Sequence, residues 1–335
     1  MFLLFIATTL AASNVSDLYQ CEPLGDMPGP EDFDWIPNTL VVSASERRPG
    51  ESTDRNGIYL IQDDQQTLAT FEGRDSCSFR PHGLALEQSA DGAWQLYVIN
   101  HHSPDDATLA GCTLGHDGDA PLLDSVEHYT LDGQTLRFVE RLSDPLLQDP
   151  NDLDVAPNGT LYISNNPDLS PGHAVRLILA RATPSTLVRY TPGAGFDVFA
   201  DDFFYANGVY VAPDGAILLS AYSGNIYAFS PDGTELDHTV LNGALDNFLP
   251  DDRGGLWLTG HPSTRKFLAH VKDPSGHSSP SEIFHLTWSL DHFSLVKTYE
   301  EDGSDAAAVS TALMLDDNLI LAQVFRPGLV SCTPK

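Results

Sequence analysis

From about residue 80 to residue 262 one pattern keeps returning: a polar pair, a short apolar run, a Pro/Asn/Asp-Gly turn and a second apolar strand. It reads PHGLAL…LYVINHH, then NDLDVAPNGTLYISNN, then ANGVYVAPDGAILLSAY, then LDNFLPDDRGGLWLTGHP. A unit this short cannot bury its own apolar face, so the units must stack on one another. In a radial stack, the residues that open each unit converge on the axis. The repeat therefore constrains both the fold and the position of any site.

Alternation and β-branched or aromatic runs bounded by turn residues mark the strands. Thr39 to Ala44 and Gly57 to Gln62 form one pair. His82 to Leu86, Gln95 to Asn100 and Val126 to Thr130 form a second set. Asn151 to Val155, Thr160 to Ser164 and Leu187 to Tyr190 form a third. Gly208 to Val211, Ile217 to Ala221 and Asn225 to Phe229 form a fourth, marked by Asp-Gly turns at Asp214 and Asp232. Asp246 to Leu249, Leu256 to Gly260 and Phe267 to Val271 make a fifth. Ala308 to Met314 and Asn318 to Phe325 make a sixth, completed by chain from the N-terminus. The expected fold is all-β: a six-bladed propeller with four-stranded blades around a central metal-binding tunnel, one domain from residue 21 to 332. A β-sandwich accounts for the strands but not for the matching starts. A loop from about His102 to Asp124 is longer than most connections, and Gly172 to Arg181 reads as a short helix.

The chain has 335 residues, 47 of them acidic and 17 basic, for a formal net charge of −30. That balance argues against nucleic-acid backbone binding and against docking on anionic lipid, and it suits a protein that binds cations. The segment FLLFIATTLAAS, within residues 1–13, is too short to span a bilayer and resembles a secretory hydrophobic core without its basic start. Export is therefore the expected route, with a first helix or strand as the alternative. Four cysteines, Cys21, Cys77, Cys112 and Cys332, have no metal-site spacing and allow three disulfide connectivities. A circular fold brings Cys21 and Cys332 together. Cys77 and Cys112 are then a second pair or two free thiols. Asn14 and Asn158 match the glycosylation pattern.

Glu31, Asn151, Asn207, Asp246 and Asn247 stand at blade starts. Two carboxylates and three amides make a hard-oxygen set suited to Ca²⁺. Asp32 and Asp152 stand beside Glu31 and Asn151. Adjacent residues of a strand face opposite ways, so these two carboxylates point to a second cation. His82 opens the second blade and His101 ends its next strand. Paired, they can hold one neutral ring as a general base. His261, in GHP, is expected at the mouth of the same cavity. The chain contains no G-x-S-x-G elbow, phosphate loop, dinucleotide fingerprint or H-E-x-x-H helix.

The ordered series GPEDFDWIPN, FRPHGLAL, YVINHHSPD, PNDLDV, ANGVYVAPDG, LDNF…GGLWLTGHP and LILAQVF…SC resembles the calcium-dependent paraoxonase/arylesterase family from about Cys21 to Cys332. The resemblance implies a propeller holding two calcium ions and hydrolysing lactones and aryl esters. It implies Glu31, Asn151, Asn207, Asp246 and Asn247 on the catalytic calcium, and Asp32, Asp152 and the main-chain oxygen of Leu84 on the structural one. It also implies a His82–His101 dyad, His261 in the cavity and a Cys21–Cys332 disulfide. Tyr205 stands where the family commonly has Phe, Gly260 where it often has a free Cys, and Asn166 where an Asp is expected. The lid after the third blade is short and the loop carrying Cys112 is enlarged. The function expected is a calcium-dependent lactonase and arylesterase acting on small hydrophobic substrates. It would be secreted or associated with secretory-pathway membranes or a lipid surface, and its oligomeric state is left open. The alternatives are a gluconolactonase-like hydrolase of sugar lactones and a non-catalytic binding propeller stapled by calcium.

Overall fold

The computed structural model describes residues 12–47, 52–102, 111–112, 124–167, 184–289 and 291–335. Their strands form six sheets. The first strand of each sheet is Pro30–Ile36, Pro81–Gln88, Asp149–Val155, Ala206–Val211, Ala244–Pro250 and Val309–Leu315. Each of these packs against the next, and the last packs against the first, so the ring closes and the six sheets are the blades of a propeller. Blades one, three and four have four strands each, while blades two and five carry an extra short outer strand. The apolar cores lie between neighbouring blades. Val41, Ile58 and Leu60 of blade one meet Leu96, Val98 and Tyr129 of blade two. Leu218 and Ile226 of blade four meet Phe248 and Leu258 of blade five.

Closure comes from the N-terminal side. Tyr19–Leu24 pairs antiparallel with Leu329–Pro334 and completes blade six. The register sets Cys21 directly opposite Cys332, and a disulfide joins them across 311 residues of sequence. Linking positions so far apart removes much loop entropy from the unfolded chain, about 6 kcal/mol in the entropic model. Cys77 and Cys112 form the second disulfide. Ser13–Asn14 pairs parallel with the edge of blade five. Residues 1–11, most of the loop before Asp124 and the helix expected at 172–181 lie outside the described residues.

One expected strand is a helix. Phe267 to Val271 falls within the helix Thr264–Lys272, and the third strand of blade five is Ser281–Ser289 instead. Ser263 caps the helix by accepting a hydrogen bond from Lys266 N, and Phe267 and His270 are its buried residues. Their three-residue spacing is that of a helix face. The apolar run FLAHV looks strand-like only when its capping residue is ignored.

Under blade two lies a buried ionic knot. Glu127 is fully buried, and its Oε1 accepts from Arg141 Nη2 at 2.9 Å and Asn100 Nδ2 at 2.8 Å. Its Oε2 accepts from Arg74 Nε at 2.9 Å and from the Tyr129 hydroxyl. Arg74 also donates to the carbonyls of Cys77 and Ser78, at 2.6 and 2.9 Å. The knot thus fastens the disulfide-bearing segment to Asn100, the residue before His101. Burial would raise the Glu127 pKa, but the charges and hydrogen bonds of Arg74 and Arg141 outweigh it and the pKa falls. A depressed carboxyl contributes stability above its unfolded pKa and loses it as pH falls through the folded value. Glu127→Gln should therefore cost about 3–5 kcal/mol near neutral pH by leaving buried guanidinium groups without their anion. In urea unfolding, the gap between wild type and variant should narrow below about pH 4. A gap that stays constant into acid would refute the ionised clamp.

Candidate active site and cation centre

All six inner strands interrupt their ladders at the same level. The breaks fall between Pro30 and Asp32, Pro81 and Leu84, Pro150 and Leu153, Ala206 and Val209, Leu245 and Phe248, and Val309 and Thr311. The intervening residues are Glu31, His82 and Gly83, Asn151 and Asp152, Asn207 and Gly208, Asp246 and Asn247, and Ser310. A bulge releases a residue from strict alternation and re-aims its side chain. Consecutive polar residues are thereby buried together. Close approach is also required: a Cβ on Gly83 would lie 2.6 Å from Asn151 O, and one on Gly208 would lie 2.7 Å from Asp246 O.

Hydroxyls on the second strands bind the backbone that the bulges free. Ser43 Oγ donates to Asp32 O at 3.3 Å, and Ser164 Oγ accepts from Asp152 N at 3.0 Å. Ser220 Oγ accepts from Gly208 N at 2.8 Å and donates to Asp246 O at 2.6 Å, tying blade four to blade five. Thr259 Oγ1 donates to Ser310 O at 2.5 Å. These residues were missed in sequence, although VVSA, YISN, LLSA and WLTG place Ser or Thr at one recurring position.

The expected cation ligands do come together. Asn247 Nδ2 donates to Glu31 Oε1 at 3.1 Å. Asn207 hydrogen-bonds Asp246, and His261 Nε2 lies 2.8 Å from Asp246 Oδ2. The oxygens left over are informative. Glu31 Oε2, Asn151 Oδ1, Asn207 Oδ1 and Asn247 Oδ1 are all buried without a hydrogen-bond partner among the described residues. Each unsatisfied group costs about 1–3 kcal/mol. An oxygen-seeking cation satisfies all of them, so the donor set fits such an ion.

Asp32 and Asp152 occupy the neighbouring positions. Asp32 accepts from Leu84 N and Phe33 N, both at 2.9 Å, and from Thr311 Oγ1 at 3.0 Å. Asp152 accepts from Val209 N at 2.7 Å. Leu84 thus meets Asp32 through its N–H. Burial, then the Glu31 charge, pushes the Asp32 pKa well up; burial, then Asp32, does the same to Asp152. Two mutually repelling buried carboxyls again suit a cation.

His82 and His101 form a pair, with His82 Nδ1 2.7 Å from His101 Nε2. His82 Nε2 faces Glu31 Oε1 at 3.5 Å. Asp124, not anticipated from sequence, lies 2.6 Å from His101 Nδ1 through its Oδ2. Burial pulls the His82 pKa down to about 4, with Glu31 opposing and Arg47 and His101 adding to the fall. Burial also disfavours charge on His101, but Asp124 overcomes it and the pKa rises. Separated pKa values in one pair divide proton acceptor from proton store.

His261 is fully buried and stacks on Phe267 at 4.4 Å, so it stands behind Asp246 and does not line an open mouth. Tyr205 stacks on Tyr222 at 4.6 Å, and Phe204 and Leu268 pack beside them. Arg47, a second residue not anticipated, donates to Pro81 O at 3.3 Å and lies near the charges of Glu31 and Asp246. Of the glycosylation candidates, Asn158 is exposed in its turn, whereas Asn14 is half-buried and accepts from Ser16 N.

The arylesterase family model matches residues 115–332. The chain belongs to the arylesterase family. This arylesterase is 25% identical to serum paraoxonase/arylesterase 2 of Gallus gallus over 321 residues, covering 90% of this chain and 85% of that one. It matches serum paraoxonase/arylesterase 1 of Homo sapiens at the same identity and coverage. Serum paraoxonase/lactonase 3 of Oryctolagus cuniculus is 25% identical over 322 residues. Membership places the protein among the ester and lactone hydrolases. Among solved structures, a gluconolactonase from Xanthomonas campestris superposes with TM-score 0.56 and 17% identity, over 96% of this chain and 92% of that one. A luciferin-regenerating enzyme superposes with TM-score 0.53 and 11% identity, over 94% and 95%. These two share the arylesterase's fold.

Ser220→Ala removes both hydrogen bonds at the blade four–five bulge. It should lower stability by about 2–3 kcal/mol, measured by urea unfolding. A loss below about 0.5 kcal/mol, the range of ordinary surface changes, would show that the bulge backbone is satisfied without it.

Proposed function

We propose that the protein is a calcium-dependent hydrolase of carboxylic esters, acting on small hydrophobic lactones first and aryl esters second. The observation that carries this reading is the set of buried oxygens without partners, Glu31 Oε2, Asn151 Oδ1, Asn207 Oδ1 and Asn247 Oδ1, beside the His82–His101 pair. With Asp246 they would hold the first calcium ion; Asp32, Asp152 and the Leu84 carbonyl oxygen would hold the second. A calcium ion held there would supply Lewis-acid polarisation of the ester carbonyl and charge stabilisation for the oxyanion.

The chain's own residues do the rest. His82 Nε2 takes the proton of the attacking water, and His101 accepts the proton that His82 gives up at Nδ1. His261 fixes the rotamer of Asp246. The aromatic faces of Tyr205 and Tyr222 offer a ring or acyl chain an apolar wall. Burial, then the charge of Asp246, keeps the Tyr222 hydroxyl protonated far above neutral pH, so it acts as a hydrogen-bond donor. The two disulfides fit an oxidising compartment, and we read the protein as secreted. Neither nucleic acid nor a partner chain enters this scheme.

Calcium added to chelator-treated protein should raise the melting temperature and restore hydrolysis. At a concentration a hundred times Kd the gain is about 2.7 kcal/mol. Glu31→Gln and Asp246→Asn should abolish both responses. Equal melting curves and full turnover in excess chelator would end the calcium reading.

A panel of aliphatic lactones, a sugar lactone and phenyl acetate separates the substrate classes. Turnover should be best on five- or six-membered hydrophobic lactones and weaker on phenyl acetate. His82→Gln should lower kcat about 10²–10⁴-fold while calcium binding and melting are retained. Hydrolysis of the sugar lactone alone would favour a gluconolactonase-like enzyme. Silence across the panel with calcium bound would favour a binding propeller.

A further inference from the structure

We infer that Asp124 is the positioning residue that sets the tautomers of both rings in the His82–His101 pair. The inference deepens the hydrolase reading above and rests on His82 as the base. Asp124 immediately precedes the strand Ser125–Asp132, whose first residue lies opposite Asn100 in register. The next position on the facing chain is His101. The carboxylate is held at both oxygens: Oδ2 is 2.6 Å from His101 Nδ1, and Oδ1 accepts from His102 N at 3.2 Å. His102 is itself tied down, its Nε2 lying 2.8 Å from Ser125 Oγ. Asp124 is largely shielded from solvent, with its side chain 18% exposed.

An ionised carboxylate can only accept, and Asp124 already accepts at Oδ1 from His102 N while its Oδ2 meets a ring nitrogen; burial opposes its charge, but His101 and His102 outweigh it and lower the pKa. The proton between Asp124 and His101 therefore sits on Nδ1. That leaves a lone pair on His101 Nε2, which must accept from His82 Nδ1–H across the 2.7 Å contact. His82 Nε2 is then the unprotonated nitrogen, on the side facing Glu31. One carboxylate thus fixes which nitrogen of His82 is free to take a proton. Asn166 does not compete for this role, since its Oδ1 accepts from Ser185 Oγ at 2.6 Å and its Nδ2 donates to Ala206 O at 3.2 Å.

A water O–H breaks as its proton goes to His82 Nε2 and its oxygen bonds the ester carbonyl carbon. The His82 Nδ1 proton moves to His101 Nε2, and the resulting imidazolium rests against Asp124. As the acyl C–O bond breaks, the proton on His82 Nε2 goes to the alkoxide and the proton on His101 Nε2 returns to His82 Nδ1, giving the acid and the alcohol group. Without the Asp124 carboxylate, His101 loses its partner at Nδ1, and Asp149, the other carboxylate of the same cluster, is left as the nearby negative charge.

The test compares wild type with Asp124→Asn, Asp124→Glu and His82→Gln, all with calcium present, on a hydrophobic lactone. Asp124→Asn should lower kcat at least about 100-fold, with KM within about threefold and melting temperature and calcium binding unchanged. Asp124→Glu should recover part of the loss. Proton NMR of the wild type should show a downfield imidazole N–H from His101 that is absent from Asp124→Asn, a signature that a merely structural role would leave in place. Absence of that resonance in wild type, or an Asp124→Asn enzyme with kcat within threefold of wild type while His82→Gln is inactive, overturns the role of Asp124 alone. An active His82→Gln overturns the base assignment and this inference with it. The wild-type resonance keeps the outcome decisive if a variant fails to fold.

Discussion

Burying oxygen where the protein has no donor to meet it is expensive, and four of the six inner strands do so at one level of the propeller axis. Glu31, Asp32, Asp152 and Asp246 are all nearly inaccessible to solvent. Unshielded, four such carboxyls would repel each other strongly enough to unseat the ring. The chain answers with backbone N–H groups on Asp32 and Asp152, with His261 on Asp246, and with Arg47 nearby. Amide oxygens from three further strand positions remain unmet. The geometry of the whole ring, including its glycines at 83 and 208, serves to bring these groups close.

The bulges explain how one short strand segment supplies two kinds of group. A regular strand would send Glu31 and Asp32 to opposite faces. Interrupting the ladder lets both lie buried at the axis, and the hydroxyls of Ser43, Ser164, Ser220 and Thr259 absorb the backbone groups left over. Stability and chemistry are thus coupled at the same residues. The Glu127 knot extends this coupling outward, from the Cys77–Cys112 disulfide through Asn100 to the strand end that presents His101.

Five of the six inner strands were legible in sequence because they are apolar runs bounded by turns; Pro30–Ile36 was not, since its carboxylates interrupt the apolar signal. Outer strands such as Gly195–Phe203, Glu235–Val240 and His292–Glu301 were not, since they are largely exposed and carry little apolar signal. The helix Thr264–Lys272 was misread because a five-residue apolar run has no unambiguous period. The cation ligands could be named from repeat register, whereas Asp124 and Arg47 could not: each sits at a strand margin outside the repeat, and only pairing across the sheet brings it to the site. His261 was expected at the cavity mouth because GHP ends a strand, but the helix that follows it covers the ring with Phe267.

The closing strand has a consequence for how the chain is made. Tyr19–Leu24 leaves the ribosome early, yet its partner Leu329–Pro334 is synthesised last. At 5–20 residues per second, about 15–60 seconds separate the two. Throughout that interval an extended segment carrying a reactive thiol waits with its hydrogen-bonding edge unpaired. Cys77 and Cys112 emerge long before Cys332, so the first thiols that Cys21 meets during synthesis are the wrong ones. Correct maturation therefore depends on the Cys77–Cys112 bond forming early or on later thiol exchange, which makes the order of disulfide formation, as much as the fold's stability, a determinant of yield.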